Sequence, residues 1–333
     1  MSIQRIAEIA GVPYSTTWRV INRVSGVSER AAQAVRKAIE QVGYVHSPDR
    51  QRKSGTASAR RRHRSIAMLD LHENTSLSIS ILRIVQRILI QQGTNLVFGH
   101  VSGPEDLPPA VVNSEVDGIL GYGQFPASAI TARIQQIPAV WMMSPLGNMD
   151  DVWGDRIMAD HRAIGQLAAR YLLDKGHLHL AFLNSAPTYP FICERGQGFT
   201  AAAEGRADSV HTVACDATQR PNSDQAMEQM IERYVAIAPR PTGLFVPRDV
   251  ATVAVYRSLA SRGIRPGRDV EVISCDKRED QLLLVEPQPV SIDLNRELIA
   301  RLAVERLLWR IREGLDSPSV RIVVGPKLEG YTS

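Results

Sequence analysis

Four polar side chains near the N-terminus have types and a spacing that suit contact with nucleic acid. They are Tyr14, Ser15, Thr16 and Arg19. Hydroxyl and guanidinium groups donate hydrogen bonds to phosphates and to base edges, and Arg can bridge O6 and N7 of guanine. A helix that carried these residues on its outer face would therefore be a candidate for binding duplex DNA.

The residues around this segment predict helix, tight turn, helix, loop and helix over the first 44 positions. The first helix has one apolar stripe, formed by Ile3, Ile6, Ala7 and Ala10. Gly11 can adopt the positive φ that ends this helix, and Pro13 suits the first turn of the next one. Ser28 and Gly43 are the expected N-cap and C′ residues of the third helix. Two helices separated by two or three residues predict a helix-turn-helix.

The charge distribution supports a nucleic-acid partner. Residues 1–64 hold 13 Lys/Arg and 4 Asp/Glu, a net charge of +9, whereas the whole chain carries +4, so residues 65–333 carry −5. A basic segment followed by a neutral-to-acidic body is typical of proteins that bind phosphates through one domain. Residues 46–64 lack apolar periodicity and are rich in small and basic residues, which predicts a basic linker. Within it, Arg50, Arg52 and Lys53 are candidate phosphate contacts.

Composition excludes several other classes of protein. No apolar run approaches the roughly 18 residues of a membrane span, and no apolar signal-peptide core opens the chain. The three cysteines have no metal-ligand spacing and are expected to be reduced thiols of a cytoplasmic protein. Metalloprotease, serine-hydrolase, Walker and dinucleotide-binding motifs are absent. We therefore expect no enzyme activity, no cofactor and no metal site.

The first 44 residues resemble the DNA-binding headpiece of the LacI/GalR family of bacterial transcription regulators. The matching segments are Ile6-Ala7, Ala10-Gly11-Val12, Thr16-Thr17-Trp18-Arg19-Val20-Ile21-Asn22, Val27-Ser28 and Gly43-Tyr44. The resemblance implies that Tyr14, Ser15 and Arg19 read base edges. It implies that Thr16, Asn22 and Ser28 contact phosphates or cap helices. Trp18 stands where relatives usually have Ser, and packing on the DNA backbone or into the headpiece core both remain open.

The linker departs from the family pattern. Relatives usually carry Asn-x-x-Ala-Arg-x-Leu after the Gly-Tyr pair, and paired chains fold it into a hinge helix whose Leu wedges into the minor groove. Here the Asn position is Ser47, the Ala-Arg positions are Arg50-Gln51, and the Leu position is Lys53. A lysine cannot unstack a base step as an apolar side chain does. We expect electrostatic contact in place of the wedge.

From Ser65 onward, short apolar runs alternate with amphipathic segments. The candidate strands are Ile66–Leu71, Asn95–Phe98, Gly118–Leu120, Ala139–Met142, Leu180–Leu183, Gly243–Val246 and Val270–Ser274. The candidate helices lie near 77–92, 160–175, 194–204, 223–238, 250–262 and 294–313. This alternation predicts an α/β fold of two lobes, each a doubly wound parallel sheet, with a ligand cleft at the carboxyl ends of the strands.

The body resembles the periplasmic-binding-protein-like effector core of the same family. The matches are Val116-Asp117-Gly118-Ile119, Asp160 with Gly165, Gly176-His177, Arg195-x-x-Gly198-Phe199, Asp249 and Val272-Ile273-Ser274-Cys275-Asp276. The implied organisation is a headpiece over 1–45, a linker over 46–64 and a core over 65–333. Its first lobe would span about 65–157 plus 292–316, and its second about 158–290 plus 318–333.

The resemblance also implies effector contacts. Arg195 matches an arginine that grips effector hydroxyls or carboxylates, and Asp276 matches an aspartate that accepts hydrogen bonds from sugar hydroxyls. Arg248 stands where sugar-binding members often have Asn, so it favours an anionic effector unless it turns outward. Asp249 is either an effector contact or a structural helix cap. On the first-lobe side Asp70 is a candidate effector contact, and a core or a surface position without effector contact is an equal alternative.

Together these features predict a DNA-binding transcription regulator, expected to be a repressor. Its operator affinity would be controlled by a sugar or sugar derivative, neutral or anionic, bound between the lobes. Its partners would be double-stranded operator DNA, this effector and a second copy of the chain, with a tetramer as the alternative to a homodimer, and no membrane. The competing interpretation is a periplasmic-type sugar-binding protein without DNA function. That class has no use for a basic headpiece.

Overall fold

The computed structural model describes residues 3–21, 27–42, 64–71, 76–123, 126–142, 153–218, 223–315 and 317–329. The chain divides into two units, Met1–Arg62 and His63–Ser333. The division falls within the predicted linker. In the described part of the chain, no helix combines the length and apolarity of a membrane span.

The first unit contains three helices, α1 (Ile3–Ala10), α2 (Tyr14–Ile21) and α3 (Glu29–Val42). Gly11 ends α1 with φ = 63°, as its sequence position predicts. Ser28 caps α3, because its Oγ accepts a hydrogen bond from the Ala31 backbone N at 3.4 Å. One small core joins the three helices, formed by Ile6, Ile21, Val35 and Ala38. The predicted helix-turn-helix is therefore confirmed as a fold.

The second unit begins with a six-stranded parallel sheet, the first lobe. Its strands are β1 (Ser65–Leu71), β2 (Asn95–His100), β3 (Gly118–Gly123), β4 (Ala139–Met142), β5 (Asp155–Ala159) and β11 (Arg321–Val324), in the order β11-β5-β4-β3-β1-β2. Its helices are α4 (Ser76–Gln91), α5 (Pro109–Val112), α6 (Ser128–Ile134) and α12 (Arg296–Glu313). Along β1, Ile66 and Met68 belong to one apolar core and Ala67 and Leu69 to another. Both faces of the sheet are thus covered, as doubly wound parallel sheets require.

A five-stranded parallel sheet forms the second lobe. Its strands are β6 (His179–Asn184), β7 (Ser209–Ala214), β8 (Gly243–Phe245), β9 (Glu271–Cys275) and β10 (Val290–Ile292), in the order β10-β9-β8-β6-β7. Its helices are α7 (His161–Asp174), α8 (Pro190–Ala203), α9 (Asp224–Val235), α10 (Asp249–Ala260) and α11 (Glu279–Leu282). The predicted α/β architecture with two parallel sheets is confirmed.

The chain passes between the two lobes at three places, and hydrogen bonds join these crossings side by side. The Asp160 backbone N donates to Val324 O at 2.9 Å, which links the first crossing to the third. Asp293 and Lys327 exchange backbone hydrogen bonds of 2.9 and 2.8 Å, which link the second crossing to the third. The lobes are therefore connected by one hydrogen-bonded ribbon of three chain segments.

The predicted lobe boundaries need correction near the C-terminus. Residues 318–333 were assigned to the second lobe, but β11 pairs with β5 in the first sheet, with Arg321 opposite Arg156 and Val324 opposite Ala159. The first lobe also extends to Ala159 rather than ending at 157. The reason is that β11 completes the first sheet beside β5 only after the chain has returned from the second lobe.

Candidate functional site

Helix α2 presents one exposed polar and aromatic face. Tyr14 is 54% exposed and Trp18 is 38% exposed, and Ser15 and Arg19 are also exposed. Thr17 points the other way: it is fully buried, and its Oγ1 donates to Pro13 O at 3.3 Å. Trp18 is thus exposed and does not belong to the headpiece core. Of the two roles predicted for it, packing on the DNA backbone is the one that an exposed side chain allows. The face matches the surface that a recognition helix offers to a DNA groove.

Of the other residues predicted to contact DNA, the structure describes only two. Thr16 is half-buried on α2, and Ser28 is exposed but uses its Oγ as the α3 cap. Asn22, Arg50, Arg52 and Lys53 lie outside the described residues.

In the second unit, the predicted effector residues meet where the second-lobe strands end. Arg248 and Asp249 follow β8, and Asp276 follows β9, its hydrogen-bonded neighbour in the sheet. Because carboxyl ends of parallel strands share one edge, three polar side chains from distant sequence positions come together there. Arg195 reaches the same edge from α8. This edge is where ligands of such sheets bind.

Arg195 is fully buried and holds the two loops together. Its Nη1 donates to Pro247 O and, at 3.2 Å, to Asp276 Oδ1, while its Nη2 donates to the same Oδ1 at 3.2 Å. Its Nε donates to His161 Nδ1 at 3.3 Å. Burial alone would lower the pKa of the Arg195 guanidinium, but Cys275 and Asp276 raise the pKa above its ordinary value. Four of its five N–H groups thus have acceptors among the described residues.

His161 was not singled out in the sequence, yet it supports this arginine. It is 4% exposed, and burial followed by the charge of Arg195 lowers the pKa of its imidazole well below the usual value. The ring is therefore neutral and can accept the Arg195 hydrogen bond. Its position as the first residue of α7, directly after the Asp160 N-cap, was the available signal.

The packing of α7 against α8 fixes where Arg195 stands. A Cβ on Gly165 of α7 would lie 1.8 Å from Arg195 O and 2.6 Å from Phe199 N. Only glycine permits this approach of the two backbones. The match of Gly165 to the family pattern is thereby explained by contact geometry.

Asp276 ends β9 in a conformation that glycine usually adopts. Its φ is 108°, and that of the following Lys277 is 48°. Arg195 engages only Oδ1, and no donor among the described residues bonds to Oδ2. A strained, 4% exposed carboxylate with one open oxygen suits acceptance of hydrogen bonds from a ligand.

Asp249, predicted as either an effector contact or a helix cap, has the contacts of a residue that positions loops. It is fully buried; its Oδ2 accepts from the Arg278 backbone N at 2.7 Å, and both oxygens lie 2.9 Å from Ser291 Oγ, which donates to the carboxylate. It joins the loops after β8 and β9 to β10. Burial, and then the charge of Asp276, raise the pKa of this carboxyl to about 7.

Arg248 lies beside these groups but pairs with none of them. It is partly buried, and its guanidinium stands 5.7 Å from the Tyr189 ring centroid. Within the described ranges, no carboxylate comes within ion-pair distance of it. Burial lowers the pKa of the Arg248 guanidinium; Asp276 raises this pKa, and Arg195 and Arg278 lower it further.

The first lobe contributes Asp70 and Tyr122, both at carboxyl ends of strands. Asp70 is fully buried at the end of β1, and His100 Nδ1 lies 3.4 Å from its Oδ2. Tyr122 on β3 is 2% exposed; burial, and then Asp276, raise the pKa of its hydroxyl, and Asp70 and Arg248 also act on it. Tyr122 was not predicted from the sequence, although its place near the end of a strand was a usable signal. Charges of both lobes thus meet at one place.

Arg296 also links the lobes at this place. From the first turn of α12 its Nη1 donates to Ser80 Oγ at 2.9 Å, and its Nη2 donates to Lys277 O at 2.9 Å. Ser80 belongs to the first lobe, and Lys277 directly follows Asp276. Among the described residues, no group of three or more His, Cys, Asp or Glu side chains could hold a metal ion.

Comparison with family models matches both units. Residues 2–47 match the model described as bacterial regulatory proteins, lacI family, and residues 169–329 match the periplasmic binding protein-like domain. The two matches are independent, and their order along the chain, DNA-binding domain first and binding-protein-like domain second, is the order predicted from the sequence.

Curated relatives match over nearly the whole chain. The HTH-type transcriptional repressor PurR of Vibrio cholerae serotype O1 is 27% identical, with 94% of this chain and 92% of the relative covered. The ribose operon repressor of Escherichia coli K12 is 26% identical, with 94% and 93% covered.

Solved structures share the fold. A transcriptional regulator CelR–cellobiose complex matches with a TM-score of 0.63 at 24% identity over 98% of both chains. A lac repressor dimer bound to operator and the anti-inducer ONPF matches with a TM-score of 0.61 at 21% identity, covering 98% of this chain and 97% of that chain.

These matches decide between the predicted classes. The competing interpretation, a binding protein without DNA function, does not explain a first unit that matches a family of DNA-binding regulators. The curated relatives are repressors rather than enzymes. The chain belongs to the lacI family of bacterial regulatory proteins and is a DNA-binding transcription regulator with a periplasmic-binding-protein-like core, not an enzyme.

Proposed function

We propose that this regulator is a repressor that binds operator DNA as a homodimer and responds to a small molecule bound between the lobes of its second unit. One observation carries the proposal: the same chain has an exposed polar face on α2 and a second unit in which Arg195, Arg248 and Asp276 lie together at one edge of a sheet. Operator DNA lies in the bacterial cytoplasm, so the regulator acts there.

On the DNA side, α2 enters the major groove. Tyr14, Ser15 and Arg19 contact base edges, and Arg19 contributes most because its guanidinium can bond a guanine at two points. Thr16, Asn22, Ser28, Arg50, Arg52 and Lys53 contact phosphates, which sets the position of the headpiece without reading sequence.

Exposed apolar side chains on the second unit support pairing with a second copy. Leu283 is 72% exposed and Leu284 64% exposed at the end of α11. Beside them lies a groove of about 750 Å³, lined in part by Tyr256 and Pro287. Large exposed apolar groups of this kind mark interaction surfaces. Analytical ultracentrifugation of the full chain distinguishes a monomer, which contradicts this part of the proposal, from a dimer or a tetramer.

On the effector side, ligand binding between the lobes changes their relative angle. Arg296 couples that change to the first lobe, since it bonds both Lys277 O and Ser80. Coupling between two sites of a regulator is typically about 1–3 kcal/mol, or about 5- to 150-fold in DNA affinity.

The direct test is DNA binding by the purified protein. Fluorescence anisotropy at low salt should detect binding to DNA from around its own gene, and failure to bind any such fragment contradicts the proposal. Arg19→Ala should cost about 1–3 kcal/mol on the preferred sequence and little on unrelated DNA. Arg36→Ala is the matched control, because it removes the same charge from the exposed ion pair of α3 with Glu29. Equal losses for both variants on all sequences would make Arg19 a phosphate contact.

A further inference from the structure

At the carboxyl edge of the second-lobe sheet, where the effector is proposed to bind, some arginines have a carboxylate partner and others have none among the described residues. Arg195 takes Oδ1 of Asp276, and Arg278 pairs with Asp280, its Nε 3.1 Å from Oδ1. The Arg248 guanidinium lies 5.7 Å from the centroid of the Tyr189 ring, and Asp276, Arg195 and Arg278 all act on its pKa. Arg195 and Arg278 thus each have a carboxylate partner, whereas no described residue provides one for Arg248. Arg296, which also lacks a carboxylate partner in the described part of the chain, instead donates to Ser80 Oγ and Lys277 O.

A partly buried cation without a partner is costly, and its surroundings increase the cost. Burial lowers the pKa of the Arg248 guanidinium; Asp276 counteracts this shift, while Arg195 and Arg278 add to it. A ligand that brought a negative charge would supply the missing partner, because charge-assisted bonds to planar oxyanions are those that Arg forms best.

The same edge offers acceptors as well as donors. Asp276 Oδ2 is open, and Asp70 of the first lobe acts on the same Tyr122 hydroxyl as Asp276 and Arg248 do. Carboxylate oxygens accept hydrogen bonds from ligand hydroxyls but repel a second anionic group. A ligand that suits the whole edge therefore has one anionic end and several hydroxyls.

We propose that the effector is an anionic polyol, a sugar carrying a carboxylate or a phosphate, with its anionic group on Arg248 and its hydroxyls on Asp276. This inference rests on the proposed function, because it names the ligand class of the same inter-lobe site. Arg248 is then the residue that determines specificity for anionic over neutral sugars.

The test compares matched probes by isothermal titration calorimetry on the full-length protein. The probes are ribose, ribonate and ribose 5-phosphate; glucose, gluconate and glucose 6-phosphate; and inorganic phosphate alone. In at least one series the acid or the phosphate should bind about 10- to 100-fold tighter than the neutral sugar, the range expected for a hydrogen bond to a charged group. Preference for the acid identifies a carboxylate ligand, and preference for the phosphate ester identifies a sugar phosphate.

Arg248→Gln should abolish that preference, and Arg248→Lys, which keeps the charge, should retain part of it. Arg233→Gln, on the exposed side of α9, is the matched control and should bind as the wild type does. Thermal melts confirm that each variant is folded. The proposal is overturned if the neutral sugar binds as tightly as its anionic form, if the preference survives Arg248→Gln, if inorganic phosphate binds as well as the sugar phosphates, or if no probe binds. DNA binding by the same preparation without ligand reports on the proposed function separately.

Discussion

A buried ion cluster in the first lobe yields a quantitative prediction for Asp155→Asn. The Asp155 carboxylate on β5 is fully buried and is held by Arg306 and Arg310 of α12. Arg310 Nε lies 3.1 Å from Oδ2, and the Val320 backbone N donates to Oδ1 at 2.8 Å. The cluster thus joins β5, α12 and the segment that leads into β11. Replacing the carboxylate by an amide keeps its size and removes its charge.

The expected cost follows from what remains buried. Arg310 is 2% exposed, and in Asp155→Asn its cation would have only neutral acceptors, namely the new amide oxygen and the backbone carbonyls of Ser317 and Pro318. Breaking a buried pair by removing one partner costs about 3–5 kcal/mol. For a unit of this size each kcal/mol lowers the melting temperature by roughly 2–4 °C, so we expect a decrease of about 6–20 °C.

Intrinsic tryptophan fluorescence is a suitable assay. Arg306 stacks on the Trp309 ring at 3.7 Å, so emission from Trp309 reports on the cluster itself. Asp224→Asn is the control, because it removes a carboxylate from an exposed pair with Arg257. An unfolding free energy for Asp155→Asn within about 1 kcal/mol of this control would refute the reasoning, since surface pairs contribute no more than that.

The pH dependence of the same variant provides a second check. Burial alone would raise the pKa of the Asp155 carboxyl, but hydrogen bonds from Arg310, the Val320 backbone N and Arg306 hold the pKa below its ordinary value. A group with a lowered folded-state pKa contributes its full stability above its unfolded pKa of about 4 and loses it as the pH falls. The difference between wild type and Asp155→Asn should therefore shrink below about pH 4, and a constant difference down to pH 2.5 would contradict this explanation.

Two further predictions concern the second lobe. Gly165→Ala should destabilise it by about 1–3 kcal/mol, because the added Cβ forces α7 away from α8; a wild-type melting curve would show that the helices tolerate the separation. Asp249→Asn should remove a decline in stability between about pH 4 and 7, because a carboxyl whose pKa rises to about 7 on folding favours the fold only while protonated. Urea unfolding at pH 5 and pH 7.5 measures that decline, and equal declines in wild type and variant would contradict it.

The sequence predicted the first unit and the stronger strands well, because their signals are local. Gly11, Pro13 and Ser28 mark helix ends through backbone conformation and capping, which neighbouring residues decide. Strand β4, Ala139–Met142, has the bounds predicted from its apolar run.

Several elements escaped prediction because their stability comes from distant partners. Strand β5 contains Asp155 and Arg156, and charged residues argue against a buried strand unless a partner is known. That partner, Arg310, lies 155 positions along the chain. Strands β7, β10 and β11 are edge strands with weak apolar patterns, and the short helices α5, α6 and α11 were also missed.

For the effector site, residue positions were predictable but their contacts were not. The location of Arg248 and Asp276 after two strands follows from the alternation of elements. Arg195 donates most of its hydrogen bonds to Pro247, Asp276 and His161. These partners lie 34 to 81 residues from it in the sequence, so the contacts depend on side-chain geometry in the folded protein. Whether Arg248 had a carboxylate partner could likewise be decided only in three dimensions.

The triple crossing has a consequence for the order in which the protein assembles during synthesis. The second lobe is one continuous stretch, from α7 to β10, whereas the first lobe also needs α12 and β11 from the end of the chain. As the polypeptide leaves the ribosome, the second lobe is complete while the β3–β5 face that α12 covers still lacks its helix. A chain released from the ribosome after truncation before residue 296 should thus hold a folded second lobe beside an exposed apolar half-sheet, a state prone to aggregate.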